Sequence, residues 1–192
     1  MPLAKKLKKI HTYRDYLNWD PDVRVEIIDG VVYDMTPAPV RKHQEILMSL
    51  ALSFGNFLKN KKCRVYPAPF DVRLPSGGEG PDDSSTVVQP DISVICDHGK
   101  LDEKGCVGAP DLVVEILSPA TAAKDMREKL SLFERHGVRE YWIIQPTEET
   151  LMVFIPGGDG KYSKPQVYSK QDTVSVKILR GLRIRLAEVF TS

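Results

Sequence analysis

The chain has 192 residues, of which 42% are apolar and 28% are charged, proportions typical of a domain that buries its own core. Its formal net charge of +1 excludes a global polycation, so any affinity for nucleic acid must come from a local patch or a bound metal. No apolar run reaches the ~20 residues of a membrane span. No signal-peptide pattern opens the chain, so we expect a cytoplasmic protein.

The three cysteines, Cys63, Cys96 and Cys106, are widely spaced and include no Cys-x-x-Cys pair. This spacing argues against a zinc site. It favours a reducing compartment, in agreement with a cytoplasmic location.

The N-terminal half predicts a helix, a hairpin, a second helix and further strands. Residues 2–18 place Leu3, Leu7 and Ile10 on one face of a short amphipathic helix. Asp29-Gly30 between two β-rich runs predicts a hairpin. The remaining predicted elements are a helix over 43–60, a strand over 64–74, a flexible loop over 75–86, a strand over 87–96 and a loop over 97–108.

The C-terminal half predicts a strand, a helix, a second strand and a β meander. Residues 111–117 are apolar enough for the centre of a sheet. A helix over 121–136 has Thr121 as N-cap and Gly137 as its stop. A strand over 138–145 follows, and then the meander runs through 151–155, 166–168 and 174–179. The order predicts one α/β or α+β domain over residues 1–192, with a mixed β-sheet flanked by helices.

The segment GAPDLVVEILSPAT, residues 108–121, contains two acids that do not suit one metal ion. Asp111 and Glu115 point to the same face of a strand but stand ~13 Å apart. Asp111 is therefore expected at the strand entrance. A second Pro-Asp, Pro90-Asp91, on a neighbouring strand would lie ~4.8 Å from Glu115 in the pairing direction. Asp91 and Glu115 are thus the predicted pair, and Glu115 needs a partner because its neighbours are apolar.

A lysine that could serve these acids is predicted on the following helix. Met126, Leu130 and Phe133 define the expected buried stripe of that helix. Lys129 lies beside this stripe and Lys124 lies opposite it. Two alternatives for Lys129 stay open, namely an ammonium that reaches water and an ion pair with Asp125.

Taken together, these motifs resemble the Uma-two endonuclease family of the PD-(D/E)xK superfamily. The similarity runs from about residue 12 to about residue 155. Gln89 and Gln145 depart from it, since an arginine and an aspartate are usual there. The motifs are Pro90-Asp91, residues 108–121, Asp125-x-x-x-Lys129, Gly137-Val138-x-Glu140-Tyr141-Trp142-Ile143-Ile144 and the upstream residues 25–30, 35–39 and His43.

The resemblance implies a restriction-endonuclease-like fold and a homodimer. It also implies that Asp91 and Glu115 are metal ligands and that Glu26 is an additional acid. In this family the usual lysine of the motif, here replaced by Leu117, is displaced onto the following helix, where it corresponds to Lys129.

We therefore expect an endonuclease that hydrolyses phosphodiester bonds in DNA with Mg²⁺, or with Mn²⁺ in its place. Asp91 and Glu115 would hold the metal, with the carbonyl of Ile116 as a further ligand. Lys129 would assist the attacking water or the scissile phosphate. Glu26 would complete the metal shell or position a second ion, although a structural salt bridge is an equal alternative.

Three further interpretations accompany this expectation. His43, near a helix start, is interpreted as a local structural residue. A binding or assembly module that keeps the nuclease fold without turnover is the alternative function, and a hydrolase of small phosphate esters ranks last. The apolar residues of the C-terminal meander could form the dimer surface; they are Leu151, Val153, Ile155, Val174, Val176 and Ile178.

Overall fold

The computed structural model describes residues 9–20, 24–35, 40–118 and 125–191, apart from the side chain of Asp125. Its helices are α1 (Tyr13–Tyr16), α2 (Arg41–Leu58) and α3 (Leu130–His136), and a π-helix, Asp125–Lys129, directly precedes α3. Short 3₁₀ turns occupy Pro81–Asp83, His98–Lys100 and Leu186–Glu188. The strands are β1 (Val25–Ile28), β2 (Val31–Asp34), β3 (Arg64–Pro67), β4 (Val72–Arg73), β5 (Val87–Val88), β6 (Ile92–Ile95), β7 (Leu101–Asp102), β8 (Gly105–Val107), β9 (Leu112–Ile116), β10 (Glu140–Gln145), β11 (Thr150–Phe154), β12 (Gln166–Ser169), β13 (Thr173–Ser175) and β14 (Arg183–Arg185).

These strands form two six-stranded sheets and one hairpin. The first sheet has the order β2-β1-β5-β4-β8-β7, and the second, which we call the central sheet, has the order β12-β11-β10-β9-β6-β3. Strands β13 and β14 form the separate hairpin. In the central sheet β9 and β10 run parallel and the other pairs are antiparallel. The predicted mixed α+β architecture is confirmed. Of the predicted meander, β11 and β12 join the central sheet, whereas the predicted strand 174–179 is reduced to β13, which pairs with β14 in the separate hairpin.

The predicted Asp29-Gly30 hairpin is also confirmed. Asp29 and Gly30 have φ angles of +50° and +76°, and they join β1 to β2. Positive φ at both central residues is the requirement of a type I′ turn, whose twist matches that of the flanking strands. The turn fixes the register in which Glu26 faces Tyr33.

Two of the predicted strands are each divided between the two sheets. The run 64–74 becomes β3 and β4, separated by the cis peptide bond between Ala68 and Pro69. The run 87–96 becomes β5 and β6, separated at Pro90. Proline cannot donate to a strand ladder, so each interruption lets the chain leave one sheet and enter the other. The predicted loop 97–108 also contains two short strands, β7 and β8.

The predicted N-terminal helix is much shorter than expected where the chain is described. Residues 9–12 are not helical, and α1 covers only Tyr13–Tyr16. Ile10, which was predicted on the apolar face, is 66% exposed. Leu3 and Leu7 lie outside the described residues. No helix in the described ranges is long and apolar enough to cross a membrane.

In the described residues after β9, the helix departs from the predicted register because Asp125–Lys129 is a π-helix. Met126 was predicted in the buried stripe but is 41% exposed, whereas Leu132 and Phe133 are fully buried. A π-helix has a wider turn than the 3.6-residue period assumed for the stripe, so the buried positions shift. Gly137, with φ +79°, ends α3 as predicted. The predicted N-cap Thr121 lies outside the described residues.

The core of the central sheet takes up most of the C-terminal apolar residues. All five residues of β9 are buried, as predicted for a strand covered on both faces. The six residues predicted as a dimer surface pack in or against this core, four of them fully buried. The prediction of that surface is therefore wrong, because those side chains already stabilise the monomer.

The cysteines also differ from expectation. Cys63 and Cys96 form a disulfide next to the paired residues Arg64 and Ile95 of β3 and β6. Cys106 is a buried free thiol. Wide sequence spacing did not indicate this pair, so the argument from spacing to a reducing compartment does not hold for Cys63 and Cys96.

Glu140 is a buried carboxylate with a structural function. Its oxygens accept hydrogen bonds from Trp142 Nε1 and from the backbone N–H of Ile178, both at 2.9 Å. Burial raises the pKa of Glu140, and these hydrogen bonds oppose the rise. The carboxylate thus ties β10 to the C-terminal segment.

We expect Glu140→Gln to lower the free energy of unfolding by about 1–3 kcal/mol, because the glutamine amide has one acceptor oxygen for two buried donors. Urea denaturation at pH 7 measures the change. Glu148→Gln, at an exposed position of the adjacent turn, is the matched control. A Glu140→Gln protein as stable as this control would contradict the assignment.

Candidate functional site

Asp91 and Glu115 face each other across two neighbouring strands. Strands β6 and β9 pair antiparallel with Ile92 opposite Val114, and the next pair in this register is Asp91 and Glu115. Directly opposed residues in an antiparallel pair have their Cβ atoms ~4.5–5.5 Å apart on the same face. The predicted proximity of these two acids is therefore what the register gives.

Asp91 has a different neighbour at each carboxylate oxygen. Its Oδ2 accepts the backbone N–H of Ile116 at 2.7 Å, and its Oδ1 lies 3.2 Å from Nε2 of His43. Each carboxylate oxygen has two lone-pair sites, so a hydrogen bond leaves capacity for a second partner.

The proline before Asp91 affects the facing strand. The β6–β9 ladder ends at Ile92 and Val114, and beyond it the Ile116 N–H donates to the Asp91 side chain instead of to a backbone carbonyl. Proline has no N–H, so it cannot donate a ladder hydrogen bond to the Ile116 carbonyl. The Pro-Asp pair thus interrupts the ladder beside a backbone oxygen that was predicted as a metal ligand.

Lys129 lies between Glu115 and Glu26. Its Nζ is 2.7 Å from Glu115 Oε1 and 2.9 Å from Glu26 Oε1. The three residues are only 2%, 4% and 1% exposed, respectively. An isolated charge would be costly at such burial, whereas paired charges compensate one another. The alternative that Lys129 reaches water is excluded in this arrangement, and the alternative pair with Asp125 involves a side chain outside the described set.

This ion network also connects the two sheets. Glu26 belongs to β1 of the first sheet, and Glu115 belongs to β9 of the central sheet. Glu26 Oε1 accepts the backbone N–H of Gln89 at 2.9 Å as well, two residues before Asp91. The salt-bridge partner of Glu26 is Lys129, the last residue of the π-helix that precedes α3.

The donor set suits Mg²⁺ with two carboxylates and a backbone carbonyl. No group of three or more His, Cys, Asp or Glu side chains within the described ranges is arranged to hold a metal ion. Glu26 is thus not grouped with Asp91 and Glu115 as a third side-chain ligand. Mg²⁺ keeps several waters and often binds through only one or two carboxylates, so the pair Asp91 and Glu115 fits its hard-oxygen chemistry.

Asp111 lies apart from this site and has a structural function. Its Oδ2 accepts the backbone N–H of Cys96 at 2.8 Å, and its Oδ1 pairs with Arg139 at 2.9 Å. It stands immediately before β9, whereas Glu115 is near the other end of that strand. The expectation that Asp111 occupies the strand entrance agrees with these contacts.

His43 lies beside Asp91, although the sequence alone led us to interpret it as a local structural residue. It is 5% exposed on the third residue of α2, and its Nδ1 has no partner among the described residues. Its spacing from Ile46 and Leu50, at i+3 and i+7, places it on the buried face of the helix. This spacing was a usable signal, because a histidine on a buried face requires a polar partner.

Comparison with known proteins gives three matches. A family model, described as "Uma2: Putative restriction endonuclease", matches residues 13–187. An uncharacterized protein of Synechocystis sp. is 26% identical over 151 residues, which are 77% of this chain and 75% of that protein. The crystal structure of a putative nuclease belonging to DUF820 from Anabaena variabilis has a TM-score of 0.74 at 22% identity, covering 94% of this chain and 98% of that one. This last similarity shows the fold.

Proposed function

We propose that this chain, which belongs to the family described as "Uma2: Putative restriction endonuclease", is a metal-dependent endonuclease that hydrolyses phosphodiester bonds in DNA. The observation that carries the proposal is the opposed pair Asp91 and Glu115 with the buried Lys129 on Glu115. A carboxylate pair at facing strand positions beside a buried cation suits phosphoryl chemistry, which needs negative charge to be stabilised.

In this proposal Asp91 and Glu115 hold Mg²⁺, and the carbonyl of Ile116 is a further ligand. The backbone N–H of Ile116 donates to one oxygen of Asp91. This hydrogen bond keeps the Asp91 carboxylate close to the backbone of Ile116, whose carbonyl is the further ligand. When bound, a divalent cation supplies Lewis-acid stabilisation of phosphate oxygens and makes water more acidic. Mn²⁺ has similar oxygen chemistry and is expected to substitute.

Lys129 is proposed to act as a cation and a hydrogen-bond donor. Its ion pairs with two carboxylate oxygens within 2.9 Å suit a cation and donor rather than a base. An ammonium has three donors, and the partners of Lys129 include Glu26 and Glu115. In the reaction it would donate to the scissile phosphate or orient the water, while Glu26 keeps it in place.

His43 is proposed as a positioning residue. Its Nε2 lies 3.2 Å from Oδ1 of Asp91, while the Ile116 N–H donates to Oδ2, so the two carboxylate oxygens are contacted by different groups. During hydrolysis the water oxygen bonds to phosphorus, the phosphorus–oxygen ester bond breaks, and the leaving oxygen takes a proton. The protein side chains orient and stabilise these changes of charge.

Metal titration tests the proposal. We expect wild-type protein to bind Mn²⁺ by isothermal calorimetry, and Glu115→Gln to weaken this binding at least about 10-fold, since one of two charged ligands is lost. Glu103→Gln, at an exposed position, is the control. The same samples are incubated with plasmid DNA with and without Mg²⁺.

Each outcome has a definite meaning. Metal binding through Glu115 together with Mg²⁺-dependent nicking supports the proposal. Binding of DNA without any metal binding that depends on Glu115 would leave the alternative, a non-catalytic binding or assembly module. Equal nicking by wild type and Glu115→Gln would place the activity outside this site.

A further inference from the structure

The strands of the central sheet end in a row that runs from the candidate site to a group of charged residues, and we call this row of strand ends an edge of the sheet. The strand ends at this edge are Ser169 of β12, Thr150 of β11 and Gln145 of β10, followed by Ile116 of β9 and the start of β6 after Asp91. Neighbouring strands are ~4.8 Å apart, so the four intervals from β12 to β6 span about 19 Å. Lys170 follows β12 and therefore lies on this edge.

Two lysines converge on one carboxylate there. Glu149 Oε1 lies 3.1 Å from Lys170 Nζ and 3.4 Å from Lys42 Nζ. Lys42 directly precedes His43, and Nε2 of His43 lies 3.2 Å from Oδ1 of Asp91. The group therefore adjoins the candidate site. We name Lys42, Glu149 and Lys170 the rim triad.

The rim triad is held in place yet reachable by a ligand. The side chains of Lys42, Glu149 and Lys170 are 32%, 26% and 33% exposed. Glu149 lies in the turn between β10 and β11 and has a φ of +48°, which is in the left-handed region. Hydrogen bonds from Lys170, and then from Lys42, keep the pKa of Glu149 below its ordinary value, so the carboxylate stays charged.

We propose that the rim triad binds the phosphate backbone of the nucleic acid, with Glu149 holding the two ammonium groups where phosphate oxygens replace it. This inference rests on the proposed function for the identity of the ligand. Two cations and one anion give the rim triad itself a net charge of +1, with Glu148 and Asp172 beside it in the chain. Since the whole chain carries only +1, a local group of this kind is what phosphate affinity requires.

Glu149 gives the triad a distinctive signature. Neutralising a lysine that binds phosphate directly weakens the binding of nucleic acid by the protein. It also lowers the salt dependence of that binding. A carboxylate that competes with phosphate has the opposite effect, because its removal frees both lysines. We therefore expect neutralisation of the lysines to weaken binding and neutralisation of Glu149 to strengthen it.

Binding of a fluorescent DNA duplex, measured by anisotropy in EDTA across a salt series, tests the inference. We expect Lys42→Gln/Lys170→Gln to weaken binding and to reduce the slope of log K against log salt by about two, roughly one for each phosphate contact. Glu149→Gln is expected to strengthen binding about two- to fivefold, the range of an exposed ion pair. The control is Lys59→Gln/Lys62→Gln, whose exposed side chains lie toward the opposite edge, after α2 and before β3.

A salt slope that changes no more than in the control pair, weaker binding by Glu149→Gln, or no binding by wild type would each overturn the inference. EDTA separates this test from cleavage. Salt-dependent binding through the rim triad without Mg²⁺-dependent nicking would reject the proposed function and leave the inference standing. Nicking with an unchanged salt slope would do the reverse.

Discussion

Lys129→Met is expected to lower the free energy of unfolding by about 3–5 kcal/mol, the usual cost of removing one partner from a buried ion pair. Methionine fills a similar volume but leaves Glu26 and Glu115 without their cation in a site that is almost closed to water. The same variant should show no Mg²⁺-dependent cleavage, because the donor beside the scissile phosphate is gone. Urea denaturation and a nicking assay measure the two effects.

Two further proteins separate the causes of these effects. Lys161→Met, at an exposed loop position, controls for the loss of a lysine as such. The triple variant Glu26→Gln/Glu115→Gln/Lys129→Met removes all three charges and should recover most of the lost stability, while cleavage stays absent. Stability of Lys129→Met within about 1 kcal/mol of wild type would show that the ion network is not closed in solution.

Asp91→Asn is expected to reduce the cleavage rate at least about 100-fold, which corresponds to roughly 3 kcal/mol of lost transition-state stabilisation. Asparagine has the same shape and can still accept the Ile116 N–H, so the fold around β6 and β9 should persist. What it loses is the negative charge that faces Glu115. Initial rates on plasmid DNA, with thermal unfolding measured in parallel, check the prediction.

The Mn²⁺ concentration distinguishes a metal ligand from a structural acid. If Asp91 binds the metal, the rate of Asp91→Asn should rise at Mn²⁺ concentrations that already saturate wild type. Asp111→Asn is the matched control, since Asp111 also follows a proline and lies at the opposite end of β9. If Asp91→Asn cleaves DNA as fast as wild type at every Mn²⁺ concentration, Asp91 has no function in the reaction.

The opposition of Asp91 and Glu115 could be predicted from the sequence because it depends on simple distances. Four residues along a strand are too far apart for one metal ion, whereas residues on adjacent strands are near. The same reasoning correctly set Asp111 apart. It did not establish that any of these residues act in catalysis, and those roles stay predictions.

Other features depend on tertiary structure that local patterns do not encode. Pro69 and Pro90 are visible as breakers, but nothing near them indicates that the chain changes sheet there. The π-helix shifted the buried positions away from Met126, yet Lys129 still faces inward because Glu26 and Glu115 stabilise it there. The disulfide of Cys63 and Cys96 follows from the pairing of β3 with β6, which spacing could not reveal.

The junction of the two sheets at Glu26, Lys129 and Glu115 restricts how this chain can diverge. The set carries two negative charges and one positive charge, so loss of Lys129 leaves two buried carboxylates without their cation, and loss of either glutamate removes one of the two carboxylates that hold Lys129. A descendant that no longer needs catalysis would gain nothing by losing one of them. Among homologues the three positions should therefore covary, being either kept as an ionic set or replaced together by apolar residues.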